Sequence, residues 1–227
     1  MTATLRQIET RIGPREQPVA VSLLPERAMA VPSESALLIA DTHWGKSETM
    51  RSLGVPIPPG TLDEQFERLR STLERTGSSR LFVLGDLLHD PRGVTDTLRE
   101  RVAAFFESLG NIETTLVAGN HDLKLGGGRL ERFAQECGIG LTTEATLGGL
   151  RLVHDPTDGI AAYSVGGHIH PSVTLRGAGD TLKLPAFVLG EQRTILPAFS
   201  RFTGGGRFER AAGDRVFLCA EDRVIGL

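Results

Sequence analysis

Three short apolar runs, at residues 36–40, 81–84 and 115–118, constrain the fold most, because none alternates polar with apolar side chains. Strands of that kind are buried on both faces, so their sheet must have a layer on either side. Between the first two runs, Leu62, Phe66, Leu69 and Leu73 share one helical face. Thr61 and Glu64, just after Pro59-Gly60, predict a capping box for that helix. Between the second and third runs, Leu98, Val102, Phe105 and Leu109 repeat the helical spacing, with Gly110 as a stop. A weaker helix is predicted over residues 129–136, ending near Gly138. Strand, helix, strand, helix, strand is the α/β pattern.

The second half changes character. Residues 150–154, 163–167, 186–189, 194–196, 215–219 and 223–225 read as short strands between Gly-rich or polar turns. Residues 20–31 add a hairpin, residues 204–206 a loop, and the polar residues 1–18 a mobile N-terminal segment. No linker divides the 227 residues, so one domain over 1–227 is expected, a length a single core can reach. No repeat suggests a solenoid or propeller.

With 40% hydrophobic and 23% charged residues, the chain can build a core and is not of disordered composition. No apolar run is long enough to span a membrane, and Met-Thr-Ala-Thr-Leu-Arg does not read as a secretory leader. Cys137 and Cys219 allow at most one bridge, which fits a reducing cytoplasm and excludes a disulfide scaffold. They read as buried and inert. A net charge of −3 lacks the global basic excess of many nucleic-acid binders, although a local basic patch can do the same work.

The chemistry sits at the strand ends. All six histidines, His43, His89, His121, His154, His168 and His170, fall at or just after an apolar strand. Three strands end in Asp41-Thr42-His43, Gly85-Asp86-Leu87-Leu88-His89 and Gly119-Asn120-His121-Asp122; two more end in His154 and Gly167-His168-Ile169-His170. In open α/β sheets such ends converge on a ligand crevice. Imidazole with carboxylate suits Zn, Mn, Fe or a similar divalent ion. Asp41 and His43, two apart on an extended chain, point to one side, as do His168 and His170. Seven groups exceed one tetrahedral ion and suit two ions sharing a carboxylate, the arrangement that serves phosphate-ester displacement.

The series Asp41-x-His43, Gly85-Asp86, Gly119-Asn120-His121, His154, Gly167-His168-x-His170 resembles the signature of calcineurin-like metallophosphoesterases, in order, over residues 36–171. The resemblance implies a four-layered α/β/β/α sandwich and a site for two divalent metal ions, Mn first, with Fe or Zn as alternatives. It would place Asp41, His43 and His170 on the first ion and Asn120, His154 and His168 on the second, with Asp86 bridging. It would make His121 the acid that protonates the leaving oxygen after attack by a hydroxide held between the ions. Many members carry Gly directly after the fourth-block His, where Asp155-Pro156 stands here. Gly85-Asp86-Leu87-Leu88-His89 is similar to the repair-nuclease branch, since Ser/Thr phosphatases carry Asp three residues after the bridging Asp. Asp41-Thr42-His43-Trp44-Gly45-Lys46 and the stretch from Leu196 to Gly205 resemble the bacterial ligase-associated DNA damage response endonucleases. That subgroup implies single-strand DNA endonuclease activity in repair, beside DNA ligase and helicase partners.

Other residues carry two readings. Lys46 and Arg92 either contact substrate phosphate or carry solvated charge, and Trp44 either stacks on a base or packs over the metal site. His89 reads as structural, orienting a carboxylate ligand or His121; Asp122 caps a helix or orients His121. The stretch from Ala40 to Ser47 approaches a P-loop but lacks its first Gly, and Asp41 inside the loop would repel phosphate. Two alternative functions stand beside the endonuclease: hydrolysis of a small nucleotide or cyclic nucleotide ester, and a non-catalytic metal-binding scaffold, which would not need His121.

Overall fold

Alternate side chains of the apolar runs do point to opposite faces, and both faces are covered. The computed structural model describes residues 6–159, 162–177 and 179–227. Strands β1 (Ile8–Ile12), β2 (Val19–Leu24), β3 (Ala28–Val31), β4 (Ala36–Ile39), β5 (Arg80–Leu84), β6 (Glu113–Val117) and β7 (Gly140–Thr142) form a seven-stranded sheet in sequence order. Pairing is antiparallel from β1 to β4 and parallel from β4 to β7. The parallel strands are connected through helices α1 (Lys46–Ser52), α2 (Thr61–Thr76), α3 (Asp96–Ser108), α4 (Asn120–Leu123) and α5 (Arg129–Glu136).

The second sheet contains β8 (Ala145–Leu147), β9 (Leu150–Leu152), β10 (Ser164–Gly166), β11 (Ser172–Arg176), β12 (Thr181–Leu189), β13 (Arg193–Ile195), β14 (Arg215–Cys219) and β15 (Val224–Gly226). Its order is β15-β14-β12-β13-β10-β9-β8, with β11 on β12. Strand β10 runs parallel to both β9 and β13.

Leu37, Ile39, Leu81, Val83 and Leu116 pack against Leu69, Leu73, Val102 and Phe105 of the helices. Leu38, Ala40, Phe82, Leu84 and Val117 pack against Leu152, Val165, Phe187 and Leu189 of the second sheet. Each fully buried large apolar side chain stabilises by about 1.5–3 kcal/mol relative to exposure, so these two interfaces hold the layers together. The two-sheet α/β sandwich is thus present, with a difference in its last layer. Among the described residues no helix covers the outer face of the second sheet; Ala186, Val216 and Leu218 pack there with Val173, Leu184 and Phe208.

Three narrower expectations are corrected. The capping box does not form: Gly60, with φ of 88°, is the N-cap, no side chain caps the helix, and the Thr61 hydroxyl meets Ser47 Oγ at 2.8 Å. The left-handed turn at Gly60 carries Thr61 into the first helical turn. The segment 1–18 contributes β1, whose Ile12 is buried between the sheets; residues 1–5 lie outside the described residues. Strand β12 begins at Thr181, five residues before the expected start, and pairs there with β11 as an exposed ribbon.

Candidate metal centre

Pairing between β4 and β5 continues past their ends. The backbone N–H groups of Asp41, His43 and Trp44 donate to the carbonyls of Gly85, Asp86 and Leu87 at 3.0, 2.9 and 2.8 Å. The two loops that carry Asp41, His43 and Asp86 are therefore locked together. From the second sheet, the Gly167 N–H donates to the His154 carbonyl at 2.9 Å, and the His168 N–H to Asp41 Oδ2 at 2.9 Å. Asp41, His43, Asp86, His168 and His170 all have positive φ, between 49° and 68°, and are five of the seven such non-glycine residues among those described. Each such conformation costs on the order of 1–3 kcal/mol and persists only where its surroundings over-determine it. Space is equally tight: a Cβ on Gly119 would lie 2.3 Å from Asp86 Oδ1, and one on Gly167 2.2 Å from Asp41 Oδ2.

The side chains then converge. His43 Nε2 lies 3.2 Å from His170 Nε2, which lies 3.3 Å from Asp41 Oδ1. His154 Nε2 lies 3.0 Å from both Asn120 Oδ1 and His168 Nδ1, and 3.5 Å from Asp86 Oδ1. His154 Nδ1 donates to the Leu84 carbonyl at 3.1 Å, which leaves Nε2 as the lone-pair nitrogen facing the cluster. Asp155, directly after His154, turns its carboxylate to the Thr157 N–H, which it accepts at 2.9 Å.

Three triplets bring ligand atoms together: Asp41, His43 and His170; Asp86, His154 and His168; and His43, His89 and His121, which shares His43 with the first and has no carboxylate. Asp41 Oδ1 is fully buried and accepts no hydrogen bond among the described residues. A buried carboxylate oxygen without a hydrogen bond is costly, and imidazole nitrogens of His170 and His154 face it at 3.3 and 4.0 Å. A divalent cation would satisfy both, and a donor set of N and O atoms suits Mn, Fe or Zn. Burial, followed by the charges of His170, His121 and His89, holds the His43 pKa down at about 2, so its ring is neutral and able to ligate. Burial raises the pKa of Asp86, a cost that a neighbouring cation reverses.

His121 stands beside the two triplets that contain a carboxylate, partly exposed. Its backbone N–H donates to Asp86 Oδ1 at 2.8 Å, its Nδ1–H donates to the His89 carbonyl, and its Nε2 lies 3.9 Å from Asp86 Oδ2. The ring of His89 stacks on that of His121, and its Nδ1 lies 3.4 Å from His43 Nδ1. Burial and Lys46 hold the His89 pKa at about 4. Sequence reasoning anticipated an orienting part for His89 but not that its backbone carbonyl would play it, because a main-chain acceptor leaves no residue-type signal. Asp122 is a clamp: Oδ1 accepts the Leu88 N–H at 2.8 Å and Oδ2 the Gly119 N–H at 2.9 Å, while burial lifts its pKa to about 7.

The suggested substrate contacts fare differently. Trp44 is buried among Phe66, Phe105 and Phe106 and is a core residue, not a base-stacking one, because the β4 loop turns it toward the helices. Arg92 is solvent-exposed and forks onto Asp90 at 2.8 Å. Lys46 opens α1, and burial lowers its pKa. Cys137 and Cys219 are buried free thiols, each pushed up to about 12.

Residues 35–179 match the family model described as calcineurin-like phosphoesterase. Among solved structures the chain is similar to the nuclease MPE of Pseudomonas putida, with 31% identity and a TM-score of 0.80, covering 97% of this chain and 100% of that one. A protein of unknown function from Aquifex aeolicus aligns at 16% identity and a TM-score of 0.41, over 60% of this chain and 78% of that one, too distant to carry an argument. No curated protein matches the chain.

Proposed function

The chain belongs to the calcineurin-like phosphoesterase family, metal-dependent hydrolases of phosphoesters, and from that premise we propose that it cuts single-stranded DNA internally as a repair endonuclease. The reading is supported most by one observation, the buried Asp41 Oδ1, which accepts no hydrogen bond among the described residues and lies at the meeting point of ligand-type side chains from both sheets. The similarity to a protein named a nuclease supports a polynucleotide substrate.

In this reading Asp41, His43 and His170 would hold one divalent ion, Asn120, His154 and His168 would hold the other, and Asp86 would be shared between them. When bound, such ions, Mn in the first instance, supply an activated water near neutral pH and positive charge for the phosphoryl oxygens. His121 delivers a proton from Nε2 to the leaving oxygen. The His89 carbonyl fixes its ring by accepting Nδ1–H, so Nε2 is the atom left to face the substrate. An acid so positioned is worth about 10²–10⁴ in rate. It would be superfluous in a scaffold that only bound metal. DNA ligase and helicase partners, and a cytoplasmic location, belong to the same proposal; no helix among the described residues is long and apolar enough to cross a membrane.

Circular single-stranded DNA, which has no ends, tests the proposal when incubated with the Mn-loaded protein and with His121→Ala. Linear product from the unsubstituted protein, lowered at least a hundredfold by the substitution, is the expected result. An intact circle together with hydrolysis of a small phosphodiester would move the substrate to nucleotide-sized esters. Full metal-dependent activity in Asp86→Ala would overturn the chemistry itself.

A further inference from the structure

The stretch from Leu196 to Gly205 contributes no side chain to the metal centre, yet it is tied to it. The Phe199 N–H donates to the Ala40 carbonyl at 2.7 Å and the Ser200 N–H to the Asp41 carbonyl at 3.3 Å. Its own carbonyls hold cations. Arg27 Nη1 donates to the Ser200 carbonyl at 2.7 Å, Arg68 Nη2 to the Phe199 carbonyl, and Lys183 Nζ to the Gly205 carbonyl at 2.9 Å. The result is a cavity that starts at His170 and is lined by Arg27, Lys183 and Arg201, with no acidic residue among the described residues that line it. It continues into a second cavity lined by the same three cations and Arg68, where Glu26 and Glu221 are the acids. Glu26 is committed to Arg75 at 2.6 Å. Glu64 is shared between Arg201 at 2.9 Å and Arg68 at 3.5 Å.

Positive charge is therefore in excess along this path. The Arg68 side chain is only 9% exposed, its Nε has no partner among the described residues, and its guanidinium lies 4.2 Å over the Phe199 ring. Burial, then Arg201 and Arg27, lower its pKa to about 9. Groups this crowded favour an anion. A groove of preorganised cations opening at a metal ligand, on a chain of net charge −3, concentrates attraction for a polyanion where the chemistry is done. Phe202 lines neither cavity itself, but it is 36% exposed and lies in the chain between Arg201 and Thr203, which do line the first, and an exposed aromatic ring can stack on a base.

We propose that this groove carries the backbone of a single-stranded polynucleotide away from the metal centre, with Arg201 and Lys183 meeting phosphates that are not cut and Phe202 stacking on a base. The inference rests on the phosphodiesterase reading of the site and assigns its substrate track. It is read by binding, not cleavage: anisotropy of a labelled oligothymidylate with the full-length, metal-free protein, titrated at several salt concentrations. Arg201→Gln and Lys183→Ala should each weaken binding about tenfold and reduce the slope of log K against log salt by about 0.7. Phe202→Ala should weaken it about tenfold with the slope intact. Arg15→Ala, which removes an exposed cation paired with Glu191 outside the groove, should leave the slope at the value of the unsubstituted protein. Thermal melting shows which variants are folded, and Arg201→Gln, at an exposed side chain, is the one least able to disturb the fold.

Folded groove variants with unaltered affinity and slope would overturn the groove, as would an unsubstituted protein that does not bind the oligonucleotide. A protein that binds with the expected slopes but leaves circular DNA intact would count against the endonuclease reading alone. A protein that cuts the circle while its groove variants keep their slope would count against the groove alone.

Discussion

At Asp41 the demands of folding and of chemistry diverge. The residue is fully buried, with φ of 54°, and its Oδ1 accepts no hydrogen bond among the described residues. Strain and lost solvation each cost on the order of 1–3 kcal/mol. The Gly85 carbonyl and the His168 N–H hold the residue there regardless. Asp41→Asn keeps an acceptor for His168 and places an amide donor where the orphaned oxygen lies. The metal-free variant should be as stable as the unsubstituted protein or more so, by about 1 kcal/mol, and should lose the rise in Tm that Mn2+ produces. Melting curves with and without Mn2+ check this; a variant less stable without metal would show that the carboxylate has a structural role. The identities of these residues were legible in the sequence, because Asp, Asn and His at successive strand ends are rare by chance. Their backbone conformations were not, since φ is set by loops locked to one another across two sheets. Trp44 was ambiguous for the same reason: its neighbour His43 faces the site, and only the turn between them decides that the indole faces Phe105.

Among the elements, α4 is the least self-sufficient. Its four residues, Asn120–Leu123, are far shorter than a helix that is stable alone. Asp122 supplies what length does not, tying the Gly119 N–H to the Leu88 N–H and so the end of β6 to the loop after β5. This clamp sets where Asn120 and His121 begin. Asp122→Ala leaves two buried N–H groups unpaired and should cost about 2–5 kcal/mol in urea unfolding, with a fall in DNA nicking as His121 loses its place. Asp122→Asn, which keeps one acceptor, should recover part of both. Loss of nicking with unchanged urea stability would instead mean that Asp122 acts on the His121 ring. Helices α2, α3 and α5 were readable because apolar residues recur on one face. Helix α1 was not, since the residues it buries are Ser47 and Thr49, which carry no hydrophobic period. Strand β1 was missed because Glu9 and Arg11 mask a single buried edge, Ile12.

On the scale of the molecule, the site is a seam. Asp41, His43, Asp86 and Asn120 come from the first sheet, and His154, His168 and His170 from the second. The first sheet was legible because its parallel half pairs strands in sequence order around amphipathic helices. The second was legible only as short strands, because β10 pairs in parallel with β9 and β13 and its neighbours are not its sequence neighbours. What joins the sheets without metal is the apolar layer of Leu38, Phe82, Val165 and Phe187. Metal bound at the seam should add to that layer by binding the folded chain alone, about 2.7 kcal/mol at a concentration one hundred times Kd. For a chain of this size that is a rise in Tm of about 5–10 °C. The distribution of the effect is the more decisive measurement. Hydrogen exchange with and without Mn2+ should show added protection on both sides of the seam. On the first sheet it should appear at the Asp41 and His43 amides, held by Gly85 and Asp86, and on the second at the Gly167 amide, held by His154. Protection confined to 41–43 and 85–89 would mean that the ions are held by the first sheet alone, and that His154, His168 and His170 only line the cleft. Protection at both ends means that neither sheet completes the centre without the other. In that case a substitution that loosens the apolar layer, such as Phe187→Ala, should weaken Mn2+ affinity although it touches no ligand.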